Sequence, residues 1–121
     1  MRKRNALVVG LFLVSAWPLN ADEPLKVGVS PAMAFAPATV RVRATVEANP
    51  ENRAIQIVAE SLEFYTSSEI PLDGEHAPRT TIVEFRSLPG GTYRVTAVLI
   101  RTNDRTTASQ QLNVVGREMA E

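Results

Sequence analysis

The chain has 121 residues, with 13 basic and 13 acidic side chains, a formal net charge of zero and no cysteine. Its length fits a single domain whose core is built by burial alone, and the missing thiol excludes disulfide staples, a thiol nucleophile and thiolate metal sites. No basic cluster stands out, which argues against nucleic acid as a partner.

At the N-terminus Arg2, Lys3 and Arg4 precede an apolar run from Ala6 to Leu19, and the small Ala21 precedes Asp22 and Glu23. That order of positive, apolar and small residues is a secretory signal pattern. A membrane span takes about 20 apolar residues. This run is shorter and Pro18 interrupts it, so no permanent membrane anchor is expected. Residues 1–21 therefore read as a signal peptide cut after Ala21, with cleavage after Ala16 as the competing site, and the protein as secreted or periplasmic. Losing Arg2, Lys3 and Arg4 leaves 10 basic against 13 acidic side chains, a mildly acidic domain at 22–116. Residues 117–121 read as a frayed tail.

The segment SPAMAFAP, Ser30 to Pro37, superficially resembles the early part of small exported copper carriers. Those proteins rely on clustered histidines and methionines, whereas only Met33, Met119 and His76 remain here after processing. No copper site and no other cofactor is expected.

From Val40 onward the dominant period is two. Val40, Val42, Ala44 and Val46 alternate with Arg41, Arg43, Thr45 and Glu47, as a strand with one buried face requires. The stretch from Arg53 to Tyr65 reads as a further strand on the alternation of Ile55, Ile57 and Ala59 with Gln56, Val58 and Glu60. Thr80 to Leu88 alternates in the same way. In Gly91 to Arg101, Tyr93, Val95, Ala97 and Leu99 share one side, and in Thr107 to Gly116, Ala108, Gln110, Leu112 and Val114 do. Pro31, Pro37, Asn49-Pro50, Pro71, Asp73-Gly74, Pro78, Pro89-Gly90-Gly91 and Asn103-Asp104 break the chain at short intervals. About seven short strands at this spacing, with no amphipathic helix, predict an all-β antiparallel sandwich.

Between the second and third of these strands, residues 65–79 read as a loop crossing from one sheet to the other. Ile70 and Leu72 serve as anchors, Asp73-Gly74 as a turn, and Pro78 as the extended entry to the next strand. Ser67, Ser68, Asp73 and His76 lack a nucleophile elbow and a glycine-rich oxyanion segment, so catalysis is not expected there. Asp73, Glu75 and His76 are candidate metal ligands on side-chain type alone, without the spacing of a calcium loop. Tyr65, Glu75, His76 and Arg79 form the candidate recognition rim, since binding residues gather on such loops. A sugar platform is poorly served: Phe35, Phe64, Tyr65, Phe85 and Tyr93 are the remaining aromatics, and the core claims most of them.

The segment LPGGTYRVTAVL, Leu88 to Leu99, resembles the E-to-F turn and F strand of cysteine-free immunoglobulin-like and fibronectin type III-like domains of exported bacterial proteins. PATVRVRATV, Pro37 to Val46, resembles their entry into strand B. The resemblance implies a structural corner role for Tyr93, with Leu88 beside it, and a sandwich in which the strands carrying Arg41, Arg43, Glu84 and Arg86 are neighbours. Glu84 would then pair across the ladder with the arginines.

The function expected from these readings is that of an exported, non-enzymatic immunoglobulin-like module that binds or supports another envelope or extracellular protein. The alternative is a small metal- or ligand-binding periplasmic protein using the 65–79 loop.

Overall fold

The computed structural model describes residues 23–116, so the expected signal peptide at 1–21 and the expected tail at 117–121 lie outside the described residues. Eight strands follow one another: β1 (Leu25–Ser30), β2 (Met33–Phe35), β3 (Ala38–Val46), β4 (Asn52–Glu60), β5 (Tyr65–Pro71), β6 (Thr80–Leu88), β7 (Gly91–Arg101) and β8 (Arg105–Val115). A single 3-10 turn at Gly74–His76 lies between β5 and β6. The strands form a three-stranded sheet in the order β1-β3-β6 and a five-stranded sheet in the order β2-β8-β7-β4-β5. This is an all-β sandwich of immunoglobulin-like architecture. Every pairing is antiparallel except β2 with β8, which is parallel.

The period-two patterns explain which face each strand buries. On β3, Ala38, Val40, Val42, Ala44 and Val46 are buried while Thr39, Arg41 and Arg43 are exposed. On the other sheet Ile55, Ile57 and Ala59 of β4, Tyr93, Val95, Ala97 and Leu99 of β7, and Leu112 and Val114 of β8 point into the same core. Each fully buried valine, leucine or isoleucine contributes about 1.5–3 kcal/mol relative to exposure. That burial holds the sheets together without a cross-link.

Two expectations need correction. The strand beginning near Arg53 does not run to Tyr65 but ends at Glu60. Ser61 and Phe64 close a tight turn there: the Ser61 N–H donates to the Phe64 carbonyl at 2.8 Å, and the Phe64 N–H donates to Ser61 Oγ at 3.2 Å. Secondly, residues 65–71 are a strand and not a loop. β5 pairs with β4 along its length, from Glu60 opposite Tyr65 to Ala54 opposite Pro71. The early segment around Pro31 is divided between the sheets, with β1 in one and the short β2 in the other.

The crossing between sheets is confined to residues 72–79. Leu72 is buried and its N–H donates to the Arg53 carbonyl; Ile70 is half-buried. Gly74 sits at φ +54, and a Cβ there would lie 3.1 Å from the Pro50 carbonyl oxygen, so this turn needs glycine on both counts. The far end is tied down where the Val46 N–H donates to the carbonyl of Arg79.

Candidate interaction surfaces

The predicted rim does not assemble as one site. Tyr65 opens β5, whereas Glu75 and His76 follow its far end, and seven strand residues span about 20 Å. Glu75, His76 and Arg79 remain together on the exposed crossing segment, without Tyr65. Asp73 precedes the 3-10 turn that carries Glu75 and His76. Among the described residues no group of three His, Asp or Glu side chains is placed to hold a metal ion.

Tyr93 and Leu88 are both buried beside the turn between β6 and β7. Tyr93 is 1% exposed, its hydroxyl donates to the Pro89 carbonyl at 2.7 Å, and Phe64 meets its ring edge-on at 6.3 Å. Burial pushes its phenol above the ordinary value, and a hydrogen bond with Ser61 works the other way. Leu88 is buried opposite Ala38. Beside this corner Gly90 lies so close to Gly116 that a Cβ would approach its Cα to 2.7 Å.

A polar node that the sequence reading missed sits at the opposite end of the sandwich. Asn52 is buried, its Nδ2 donates to the Glu47 carbonyl at 3.0 Å, and its Oδ1 accepts from Arg101 Nε at 3.1 Å. Arg101 Nη2 is buried without a partner. The node ties the β3–β4 turn to the end of β7, which is a structural duty.

The two outer faces differ in chemistry. On the five-stranded sheet, Val58 of β4 and Val98 and Ile100 of β7 point away from the core and are half-buried only by their neighbours. Ala54 lies opposite Ile100, Gln56 opposite Val98, and Val58 opposite Thr96. Around this apolar centre run Glu69, Ser67, Thr107, Ser109, Arg105 and the facing pair Glu60 and Arg94. Thr96 and Ser109 join hydroxyls at 3.2 Å. Toward the β4–β5 turn the face opens into a groove of about 710 Å³ between Glu60, Leu62, Thr92, Arg94, Ser109 and Gln111. Leu62 is fully exposed at its rim. Tyr65 and Phe35 are 60% and 66% exposed. Phe35 sits on the β2 edge beside the exposed Val115, with Met33 two residues away.

On the three-stranded sheet the outer face is charged. The register places Arg41 opposite both Ser30 and Glu84, and Arg43 opposite both Gly28 and Ile82. The expected neighbourhood of β3 and β6 is therefore present, but the ion pair is not across the ladder. Glu84 Oε1 instead accepts from Arg86 Nε at 2.9 Å, two residues along its own strand.

No family model matches the chain, and no curated protein matches it. Solved structures do. The superoxide reductase (neelaredoxin) from Ignicoccus hospitalis superposes with a TM-score of 0.61 at 14% identity, over 76% of this chain and 80% of that one. The sulfur carrier protein SoxY from Chlorobium limicola f thiosulfatophilum gives 0.61 at 14% identity, over 77% and 76%. The reeler domain of human F-spondin gives 0.57 at 9% identity, over 76% and 89%. At such identities the likeness is one of fold alone. It puts the chain among β-sandwich domains of coarsely immunoglobulin-like form.

Proposed function

We propose that the chain is an exported, non-enzymatic module of the cysteine-free immunoglobulin-like kind, which binds or supports another envelope or extracellular protein through the outer face of its five-stranded sheet. The carrying observation is β7. This strand is central in its sheet, and from Ala97 to Ile100 every residue is apolar, so Val98 and Ile100 face outward with no layer of the described chain over them. A short continuous apolar run in a strand is the pattern of a strand buried on both faces. An apolar centre ringed by hydroxyl, amide and charged side chains is also the anatomy of a protein interface.

The chain has no cysteine, so thiolate chemistry has no residue to act through. The single histidine lies on the exposed crossing segment.

The test is a crosslinked capture from the native envelope, with the native chain and the double variant Val98→Glu/Ile100→Glu as baits. Both side chains point outward, so the variant keeps its fold, which its melting temperature verifies. A discrete partner held by the native bait and lost by the variant supports the reading. Equal capture by both contradicts it.

A further inference from the structure

The opposite face carries an unusual charge distribution for a chain with no net charge. Lys26 of β1, Arg41 and Arg43 of β3, and Arg86 of β6 all point out from the three-stranded sheet; the one carboxylate on these three strands, Glu84, is already held by Arg86, and the exposed Glu47 follows the end of β3. Neither the Arg41 nor the Arg43 side chain has a hydrogen-bond or ion-pair partner among the described residues. Alternate residues on one side of a strand are about 7 Å apart, so these two guanidinium groups stand side by side at the repeat of an extended chain.

Beside them the surface is dented. Gly28, Val29, Ser30, Arg41, Arg43 and Ile82 enclose a hollow of about 300 Å³. Gly28 provides its floor: it lies directly across from Arg43, and a Cβ there would meet nothing within 4 Å. Ile82 is 51% exposed and gives the hollow an apolar wall.

We infer that this face docks an extended acidic segment of a partner protein, with carboxylates two residues apart on Arg41 and Arg43 and the hollow over Gly28 leaving room for the segment. Guanidinium groups suit carboxylates because their paired N–H donors match the two oxygens. The repeat of the carboxylates follows from the sites: in an extended chain residues two apart share a face, so the side chains between them point away from this surface. A lipid surface fits less well, since no aromatic side chain points out from β1, β3 or β6 to seat at a membrane interface. A sugar polymer lacks a stacking platform here for the same reason. This site is on the other side of the sandwich from the apolar face and stands or falls independently of it.

The test is a titration of the purified 15N-labelled chain with a capped heptapeptide that alternates glutamate with valine. Parallel samples receive the same peptide with glutamine for glutamate, and vesicles of phosphatidylglycerol. The expected result is amide shifts centred on Gly28, Ser30, Arg41, Arg43 and Ile82 with the acidic peptide and none with its glutamine counterpart. Affinity is expected to fall by about tenfold or more in Arg41→Gln/Arg43→Gln, as loss of complementary charge implies. Gly28→Leu, whose Cβ meets no atom within 4 Å, projects into the hollow and is expected to weaken binding while the melting temperature holds. Unchanged affinity in either variant, or binding to the vesicles without binding to the peptide, overturns the inference.

Discussion

The Tyr93 hydroxyl donates to the carbonyl of Pro89, four residues earlier, at 2.7 Å. The bond fixes the turn between β6 and β7 by anchoring it to a ring that is 1% exposed in the core. Tyr93→Phe keeps the ring and removes the bond, so a loss of about 1 kcal/mol is expected. Tyr93→Ala also opens a cavity and is expected to cost about 3–5 kcal/mol, as other large aromatic truncations do. Urea unfolding of the two variants beside the native chain measures both.

Stability should also fall in alkali because of this residue. Burial raises the Tyr93 phenol above its ordinary 10.0, so the folded chain holds the proton more tightly than the unfolded chain. The resulting stabilisation is complete below pH 10.0 and is lost as pH rises from there through the folded-state value. Urea midpoints taken between about pH 9 and about pH 11 should decline in the native chain and decline less in Tyr93→Phe.

The Asn52 node predicts a second sensitive position. Asn52→Ala removes the acceptor of Arg101 Nε and the donor to the Glu47 carbonyl, and Arg101 already has one buried donor without a partner. A loss of about 2–3 kcal/mol is expected, because a charged donor is left unpaired. The control is Asn113→Ala on the exposed side of β8, which should stay within about 0.5 kcal/mol of the native chain.

Much of this architecture was legible in the residues. The strict alternation at Val40–Val46 and Tyr93–Leu99 marks inner and outer faces, and Leu88 to Leu99 carries the corner. β5 was not legible because its inner positions include Thr66 and Ser68, which are only half-buried at a sheet edge. A strand held on one side, with polar residues on both faces and Pro71 at its end, has the composition of a loop. The outer apolar centre was masked for a different reason. Val98 and Ile100 fall between inward residues of the same type, and periodicity alone does not say that the second face is uncovered. The Asn52–Arg101 bond joins residues 49 apart in sequence, a relation that no local pattern announces.

A domain that works through its sheet faces should be indifferent to divalent cations. Zinc, copper or calcium ions at millimolar concentration are expected to leave the melting temperature unchanged, since only a ligand that binds the folded state raises it. A rise that disappears in His76→Ala would revive the metal-binding alternative at the crossing segment.

The central claim is that the outer face of the five-stranded sheet contacts a partner protein. Its most direct test is site-specific photocrosslinking in the native cell, with a photoreactive amino acid placed in turn at Thr96 and Ser109 on that face and at Thr39 on the other sheet. The account predicts a discrete adduct from Thr96 and Ser109 that Val98→Glu/Ile100→Glu abolishes. No adduct from either position, or one that survives those substitutions, would contradict it.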